Sequence, residues 1–358
     1  MGSQLFLTLF VLFGVACKSF DPKGSSSLST CGDVSNHLGN ALWQKYVDNT
    51  LSTYPLQENC KPLRLSTTSN PKGVVVMFHG FTACPQQYFD IAADISRNGW
   101  DVLLPVLPGH GHANIELEGT ELPKLDNFSA KTTQFVQEIN NILVSYQAPE
   151  KVVVGLSLGG AYALAAHTNA PNLYDRTMII APFFQAARGI RFVLGSINNV
   201  NTVRNRLLAG KGLLSPAKKK IKTGWGDGCE SERKLGRAGI CNFTVDNLVA
   251  GQQFGFDLTA KSTLSTGKVQ FVVVENDKVV NNDRTTYYFN NRISRSSTDK
   301  DLCIYPKITN HSIASRFDNP NEDKFWLSAF ERDSKAFITE GKFFNKDGSI
   351  GKWPACRI

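Results

Sequence analysis

Short runs of β-branched and other apolar residues alternate with helix-like segments from Gly73 onward. Such alternation is typical of β-α-β units, in which neighbouring strands run parallel and helices pack on the sheet. The sequence therefore predicts an α/β fold with a mostly parallel central sheet flanked by helices. The predicted strands are 73–79, 101–105, 151–155, 177–180, 268–274 and 302–305, and the predicted helices are 85–98, 127–146, 158–167, 284–293 and 322–340.

This regular pattern stops after Ala181 and resumes at Lys268. Residues 182–267 are rich in Gly, Asn, Lys and Arg, and structureless loops of that length are rare inside a compact domain. An inserted cap or lid is therefore the better interpretation. The predicted organisation is a signal peptide (1–16), an N-terminal extension (17–70), a first core part (71–181), the cap (182–267), a second core part (268–341) and a C-terminal tail (342–358).

The apolar run from Leu5 to Ala16 is too short to cross a bilayer and has the length of a signal-peptide core. No Lys or Arg precedes it, so a buried N-terminal segment stays open as the alternative. Small residues at Gly14 and Ala16 fit cleavage before Cys17, and the same region loosely resembles a bacterial lipobox. We expect an exported protein that is secreted, periplasmic or lipid-anchored at Cys17.

Eight cysteines are scattered along the chain without the Cys-x-x-Cys spacing of a zinc site. In an exported protein they are expected to form disulfides, although sequence alone leaves the connectivity open. If Cys17 is lipidated, seven remain, and Cys84 is the thiol expected to stay free. The pairs that would each fasten a segment outside the predicted core are Cys31–Cys60, Cys229–Cys241 and Cys303–Cys356.

The chain carries a moderate excess of positive charge, with 39 Lys and Arg against 31 Asp and Glu, a net charge of +8. Such a surface favours peripheral contact with a membrane or another anionic surface. It is not accompanied by zinc-finger spacing, an arginine-rich arm or a basic strand with interspersed aromatic residues, so no nucleic-acid partner is predicted. The oligomeric state is left open.

The segment 155–160 reads Gly-Leu-Ser-Leu-Gly-Gly and joins a predicted buried strand to a predicted helix. A catalytic serine in such a turn needs small neighbours, because its backbone is strained and its hydroxyl must project clear of the sheet. A Gly-rich turn without catalysis is the alternative. The strand before it, the helix after it and the partners downstream favour Ser157 as a nucleophile.

A serine hydroxyl becomes a good nucleophile when a histidine held by a carboxylate removes its proton, and in this fold the chain order is Ser, acid, His. Asp277 follows the predicted strand 268–274 at its carboxyl end. Glu275 is still in strand register, and Asp283 falls where a helix N-cap is expected. His311 is the histidine that follows the acid, so it is the predicted base.

The oxyanion formed by such chemistry needs fixed donors, commonly two backbone N–H groups. One is predicted to be Leu158, at the helix start. The other is predicted to be Phe81, because His79-Gly80-Phe81 ends the first core strand and Gly80 permits a tight turn. The His79 ring is expected to hold this loop rather than to transfer protons.

Four segments together resemble the carboxylesterase and monoacylglycerol-lipase branch of the α/β hydrolases: His79–Ala83, Leu107–Gly111, Gly155–Gly160 and Asp277–Val280. The resemblance covers roughly residues 71–341. It implies an α/β-hydrolase fold with a cap over an acyl pocket, hydrolysis of a small-molecule or lipid ester through an acyl-enzyme, and no metal or organic cofactor. Serine at position 157 argues against epoxide hydrolases and haloalkane dehalogenases, which use a carboxylate nucleophile.

The cysteine-bearing extension and tail and the basic insertion depart from the compact members of that branch, so the substrate stays open. Acyl transfer to an acceptor other than water, or amide cleavage by the same residues, is the alternative activity. A binding module without catalysis on the same scaffold is the third interpretation.

Overall fold

The computed structural model describes residues 16–18, 28–30, 37–114, 117–187, 220–222, 232–293, 299–306, 310–318 and 322–344. Its strands are β1 (Ala16–Lys18), β2 (Leu28–Thr30), β3 (Leu63–Leu65), β4 (Val74–Phe78), β5 (Asp101–Leu104), β6 (Lys151–Leu156), β7 (Arg176–Ile180), β8 (Lys220–Lys222), β9 (Asn242–Thr244), β10 (Lys268–Val274) and β11 (Asp299–Tyr305). Its α-helices are α1 (His37–Thr53), α2 (Phe89–Arg97), α3 (Phe128–Val144), α4 (Leu158–Asn169), α5 (Val245–Lys261), α6 (Asn282–Asn291) and α7 (Leu327–Glu340).

Seven strands form the central sheet in the order β11-β10-β7-β6-β4-β5-β3. All neighbours pair in parallel except β3, which runs antiparallel to β5. Every residue of β4, β5 and β7 is buried, as expected for parallel strands with both faces covered. The predicted α/β fold with a mostly parallel sheet is confirmed.

The sheet and its core also draw on residues before position 71, where the first core part was predicted to start. The three residues of β3 add an edge strand to the sheet. Trp43 and Tyr46 of α1 are buried in the main core, and the Tyr46 hydroxyl donates to the Val106 carbonyl over 3.0 Å. A three-residue strand is too short to show a periodic pattern, so sequence reasoning did not find it.

Of the predicted cap, residues 188–219 and 223–231 lie outside the described part of the chain. The described remainder contains α5, which begins with a capping box between Thr244 and Asn247. Helix α5 packs against α3 and α4. Gly255 permits its close approach to the chain after β7, because a Cβ there would collide with the Phe183 carbonyl oxygen. The inserted segment thus has structure of its own beside the helix that follows Ser157.

Cys60 and Cys84 form a disulfide with a Cα–Cα distance of 5.0 Å. The expectations that Cys60 pairs with Cys31 and that Cys84 stays free are therefore wrong, because the fold brings the chain before the sheet onto the loop after β4. Cys241 and Cys303 are also disulfide-bonded. Their predicted partners, Cys229 and Cys356, lie outside the described residues.

Most of the predicted signal peptide and of the C-terminal tail, residues 1–15 and 345–358, also lies outside the described residues. Within the described ranges, no helix has the length and apolar character needed to cross a bilayer.

Candidate active site

Ser157 lies at the sharp turn between β6 and α4, with φ 57° and ψ −119°. This conformation is costly for a residue with a side chain and is kept where surrounding contacts hold it. Its N–H donates to the Ile180 carbonyl over 2.9 Å, and its carbonyl accepts from the N–H groups of Phe183 at 2.8 Å and Gly160 at 2.9 Å. Three backbone hydrogen bonds therefore fix the strained residue.

Steric contacts explain why glycine stands at positions 155 and 159, on either side of Ser157. A Cβ on Gly155 would collide with the Gly159 carbonyl oxygen, and a Cβ on Gly159 would collide with the carbonyl oxygen of Phe78 at the end of β4. The Gly-x-Ser-x-Gly spacing thus lets the chain reverse tightly against the neighbouring strand.

Asp277 follows β10 after Asn276, whose φ of 56° turns the chain at the strand end. One carboxylate oxygen of Asp277, Oδ1, accepts the N–H groups of Val279 at 2.7 Å and Val280 at 3.1 Å. The other, Oδ2, lies 2.7 Å from Nδ1 of His311. The Asp277 side chain is completely buried, and that of His311 is 12% exposed.

Burial by itself would raise the pKa of Asp277, but the nearby His311 and the three hydrogen bonds outweigh it, so the pKa lies below its ordinary value. Asp277 is therefore a carboxylate at neutral pH, and it accepts the Nδ1 proton of His311. The opposite ring nitrogen, Nε2, is buried and has no hydrogen-bond partner in the described part of the chain. In this tautomer Nε2 is the nitrogen that can take up a proton.

Ser157 and Asp277 follow β6 and β10, and His311 follows β11, so all three stand at the carboxyl edge of the parallel strands. The structure joins Asp277 to His311 directly. Among the described residues no hydrogen bond connects the Ser157 hydroxyl to His311. Hydrogen bonds between nucleophile and base are often long before substrate binds and tighten in the complex.

The competing acid Asp283 is exposed in the first turn of α6. It was predicted to cap that helix, and this is wrong. Asn281 is the N-cap, and its Oδ1 accepts the Asp283 N–H over 3.0 Å, because the helix begins two residues earlier than the sequence pattern indicated.

The loop after β4, which carries Gly80 and Phe81, lies beside Ser157. A Cβ built on Gly80 would lie 3.5 Å from the Ser157 Cβ, so the two turns are in contact. The N–H of Leu158 is one of the unpaired donors at the start of α4. Neither this N–H nor that of Phe81 finds an acceptor in the described part of the chain.

His79 holds the loop, as expected. Its Nδ1 donates to the Gly80 carbonyl over 2.8 Å, and its Nε2 accepts the Leu107 N–H over 3.0 Å. Burial, together with the neighbouring His110, lowers the pKa of His79 well below its ordinary value, so the ring is neutral. His110 packs edge-on against Phe81, and burial lowers its pKa to about 4.

His112 stacks on the Tyr54 ring at a centroid distance of 5.2 Å. Within the described ranges, no group of three or more His, Cys, Asp or Glu side chains is arranged to hold a metal ion.

Three buried polar residues near the Phe81 loop were not found from the sequence. Gln87 accepts the Gly80 N–H at 2.8 Å and donates to Asp318 at 2.7 Å, and Arg237 donates to Asp318 at 3.2 Å. They lie far apart along the chain and outside any motif, so the one local signal was the presence of polar residues in apolar surroundings.

The chain is similar in sequence to a known lipase homolog. Over 141 residues the chain is 26% identical to a monoglyceride lipase homolog of Monkeypox virus, a stretch covering 39% of this chain and 49% of that protein. The chain thus spans about half the length of this curated relative.

Solved structures of similar fold include the lipolytic enzymes described as LipS and LipT, from a metagenome, with a TM-score of 0.55, 18% identity, and coverage of 79% of this chain and 98% of that one. A soluble variant of monoglyceride lipase from Saccharomyces cerevisiae has a TM-score of 0.57, 17% identity, and coverage of 77% and 90%. Monoacylglycerol lipase from Paleococcus ferrophilus has a TM-score of 0.57, 13% identity, and coverage of 78% and 98%. At these identities the likeness shows the fold, which is that of the α/β hydrolases.

Residues 69–314, more than half of the chain, match the family model described as serine aminopeptidase, S33. The chain therefore belongs to this family of α/β hydrolases.

Proposed function

We propose that this hydrolase is a serine carboxylic-ester hydrolase, an esterase or lipase, with Ser157 as nucleophile, Asp277 as acid and His311 as base. The observation that carries the proposal is the buried Asp277–His311 hydrogen bond of 2.7 Å, at the sheet edge where the strained Ser157 also stands. This pair leaves Nε2 of His311 as an unpaired proton acceptor.

In the proposed reaction the Ser157 hydroxyl attacks the ester carbonyl carbon while Nε2 of His311 takes its proton. The N–H groups of Phe81 and Leu158 hold the oxyanion. His311 then passes its proton to the departing alcohol, which leaves an acyl group on Ser157. Water then attacks that acyl group while His311 takes its proton; the bond between the acyl carbon and the Ser157 oxygen breaks, His311 returns the proton to Ser157, and the acid leaves.

An apolar substrate is supported by the surroundings of Phe81. Its ring packs edge-on against Phe243 at a centroid distance of 5.0 Å, and both belong to an apolar cluster that joins the core to the inserted segment. The monoglyceride lipases among the similar proteins point the same way. We therefore propose a small-molecule or lipid ester as substrate, with the net charge of +8 favouring contact with an anionic surface.

Export of the protein is part of the proposal, in secreted, periplasmic or Cys17-anchored form. The Cys60–Cys84 disulfide supports it, because disulfides persist in oxidising compartments.

A second candidate is hydrolysis of an amide or peptide bond by the same residues. The matching family model, described as serine aminopeptidase, favours it. An amide leaves as an amine, which His311 would have to protonate, so the chemistry needs no further residue.

The test is labelling by a fluorophosphonate probe together with hydrolysis of p-nitrophenyl esters of increasing chain length and of aminoacyl p-nitroanilides. We expect ester turnover and labelling in the wild type, and a loss of about 10⁴-fold or more in Ser157→Ala. Ser145→Ala, at the C-cap of α3, is the matched control and keeps full activity. Unchanged ester hydrolysis in Ser157→Ala would remove the assignment, and turnover confined to the anilides would favour the second candidate.

A further inference from the structure

We infer that Gln87, Asp318 and Arg237 are positioning residues that hold the Gly80–Phe81 peptide group so that the Phe81 N–H is presented to the oxyanion. The inference rests on the proposed function and adds residues to that same site. It starts from the hydrogen bonds that fix the loop after β4.

The Gly80–Phe81 peptide group is planar, so fixing its carbonyl oxygen also fixes the direction of its N–H. That oxygen accepts from Nδ1 of His79 at 2.8 Å and from the Ala83 N–H at 3.2 Å. The preceding N–H, that of Gly80, donates to Oε1 of Gln87 at 2.8 Å. With both flanking groups paired, the Phe81 N–H is held in one direction and is left free for a ligand.

Gln87 is itself held by a charged pair. Its Nε2 donates to Oδ2 of Asp318 at 2.7 Å, which determines that Oε1 faces Gly80. Oδ1 of Asp318 accepts from Nε of Arg237 at 3.2 Å, and Nη2 of Arg237 donates to the Thr82 carbonyl at 2.9 Å. The cluster thus forms hydrogen bonds with the loop at two points, from the Gly80 N–H to Gln87 before Phe81 and from Arg237 to the Thr82 carbonyl after it.

Charged side chains surround Asp318 and Arg237. Arg237 lies 3.3 Å from Glu232 as well as 3.2 Å from Asp318, and its side chain is 4% exposed. Lys324 donates to the Ser315 carbonyl at 2.6 Å and also to the Asp318 carbonyl. Asp318 therefore has cationic side chains close to it, and its hydrogen bond from Arg237 joins groups of opposite charge, which makes it stronger than a bond between neutral groups.

The cluster also joins three parts of the site that are distant in sequence. Asp318 ends the described loop that carries His311, Gln87 lies in the short 3-10 helix (Pro85–Tyr88) after the loop that carries Phe81, and Arg237 belongs to the predicted cap. Gly239 brings this inserted segment against the loop, since a Cβ there would collide with the Thr82 carbonyl oxygen. The inserted segment therefore completes the oxyanion site in addition to lying beside it.

The chain offers a matched control in the adjacent Gln86, which is 3% exposed against 5% for Gln87. Gln86 donates to the Gly236 carbonyl at 2.8 Å and accepts the Ala238 N–H at 2.7 Å, so it binds the same inserted segment. Its side chain makes no hydrogen bond to Gly80 or Asp318 among the described residues. Substitution of Gln86 thus tests the docking of the inserted segment, whereas substitution of Gln87 tests the orientation of the Gly80–Phe81 peptide group.

The experiment compares Gln87→Leu with Gln86→Leu in the full chain, measuring kcat, KM, inhibition by a trifluoromethyl ketone and thermal unfolding. Complete loss of an oxyanion donor lowers kcat roughly 10²- to 10³-fold, so we expect a misaligned donor in Gln87→Leu to lower it about 10- to 100-fold. KM should change little, and the ketone, which forms an oxyanion on Ser157, should bind more weakly by the same factor. Gln86→Leu should lose similar thermal stability but much less kcat than Gln87→Leu, because the hydrogen bonds of Gln87 to Gly80 and Asp318 remain in it.

Unchanged kcat in Gln87→Leu, or equal losses in the two variants, would overturn the inference while Ser157-dependent hydrolysis in the wild type still stands. If Gln87→Leu gives no soluble protein, Asp318→Asn is measured in the same way, because it keeps the shape of the side chain and removes the charge that holds Arg237. Hydrolysis that does not depend on Ser157 would instead refute the proposed function itself.

Discussion

Nδ1 of His311 and Oδ2 of Asp277 lie 2.7 Å apart, although α6 and β11 separate the two residues in the chain. The other carboxylate oxygen is occupied by the N–H groups of Val279 and Val280, so the carboxylate cannot rotate freely. The pair therefore fixes both the orientation and the tautomer of the histidine ring.

Asp277→Asn removes the carboxylate that selects this tautomer. We expect kcat for ester hydrolysis to fall by about 10⁴-fold, because the amide can donate to Nδ1 and so turn the wrong nitrogen into the acceptor. Asp283→Asn, the exposed neighbour in α6, should keep full activity. Steady-state kinetics on a p-nitrophenyl ester measure both, and equal losses in the two variants would contradict the assignment of the acid.

Gly159→Ala should destabilise the protein, because the new Cβ would collide with the backbone carbonyl oxygens of Phe78 and His79. We expect the free energy of unfolding to fall by about 3 kcal/mol, measured by urea denaturation. Gly251→Ala in α5 is the control, since its Cβ would meet its nearest neighbour, Leu158, at an ordinary 3.6 Å. This control should be neutral or slightly stabilising, and a neutral Gly159→Ala would mean that the turn is less tight than described.

His167 makes stability depend on pH. The buried ring contacts the hydroxyls of Thr177 and Thr266, and burial lowers its pKa from 6.5 to about 4. Below pH 6.5 the unfolded chain therefore binds a proton that the folded chain does not, so this residue lowers stability as the pH falls from 6.5 towards 4.

His167→Gln should remove this contribution. Between pH 7 and pH 5 the variant should lose less stability than the wild type, by up to about 2 kcal/mol. Between pH 7.5 and 8.5 the pH is roughly one unit or more above the ordinary histidine pKa, so His167 is neutral in both the folded and the unfolded wild type. The stabilities of the two proteins should therefore respond alike to pH in this range. Thermal unfolding across this range is the measurement, and parallel curves down to pH 5 would count against a depressed pKa.

The Cys60–Cys84 disulfide connects residues 24 apart in the sequence. Replacing both cysteines by alanine should lower the free energy of unfolding by about 3 kcal/mol, chiefly because the unfolded chain gains freedom. Mass spectrometry of a non-reduced digest should show the linked peptides in the wild type and also in Cys31→Ala, which is the control. A peptide joining Cys31 to Cys60 would contradict the structure.

Much of the fold could be predicted from the sequence because it depends on local patterns. The bounds of β10 are those expected from its apolar run, and the turn at Ser157 was found from the glycines on either side, of which Gly155 lies against the Gly159 carbonyl oxygen within the same turn. The order of Ser157, Asp277 and His311 along the chain led to a prediction that Asp277 and His311 meet, and the structure shows that contact.

Other features depend on which distant segments the fold brings together. Sequence reasoning gave the wrong partner for Cys60 and the wrong N-cap for α6, and it missed the edge strand β3. The disulfide joins segments that are distant in the chain, and β3 and the α6 cap each involve too few residues to show a pattern. Arg237, Asp318 and Gln87 carry no motif and are separated by 81 and 231 residues in their pairings. The sequence by itself determined the six predicted strands of the sheet, the five predicted helices and the position of the strand-to-helix turn at Ser157, because the residue patterns that indicate these are local. Tertiary structure decided which buried charges and amides meet at the loop of Phe81, because the energy of such contacts depends on distances in space that the order of residues does not specify.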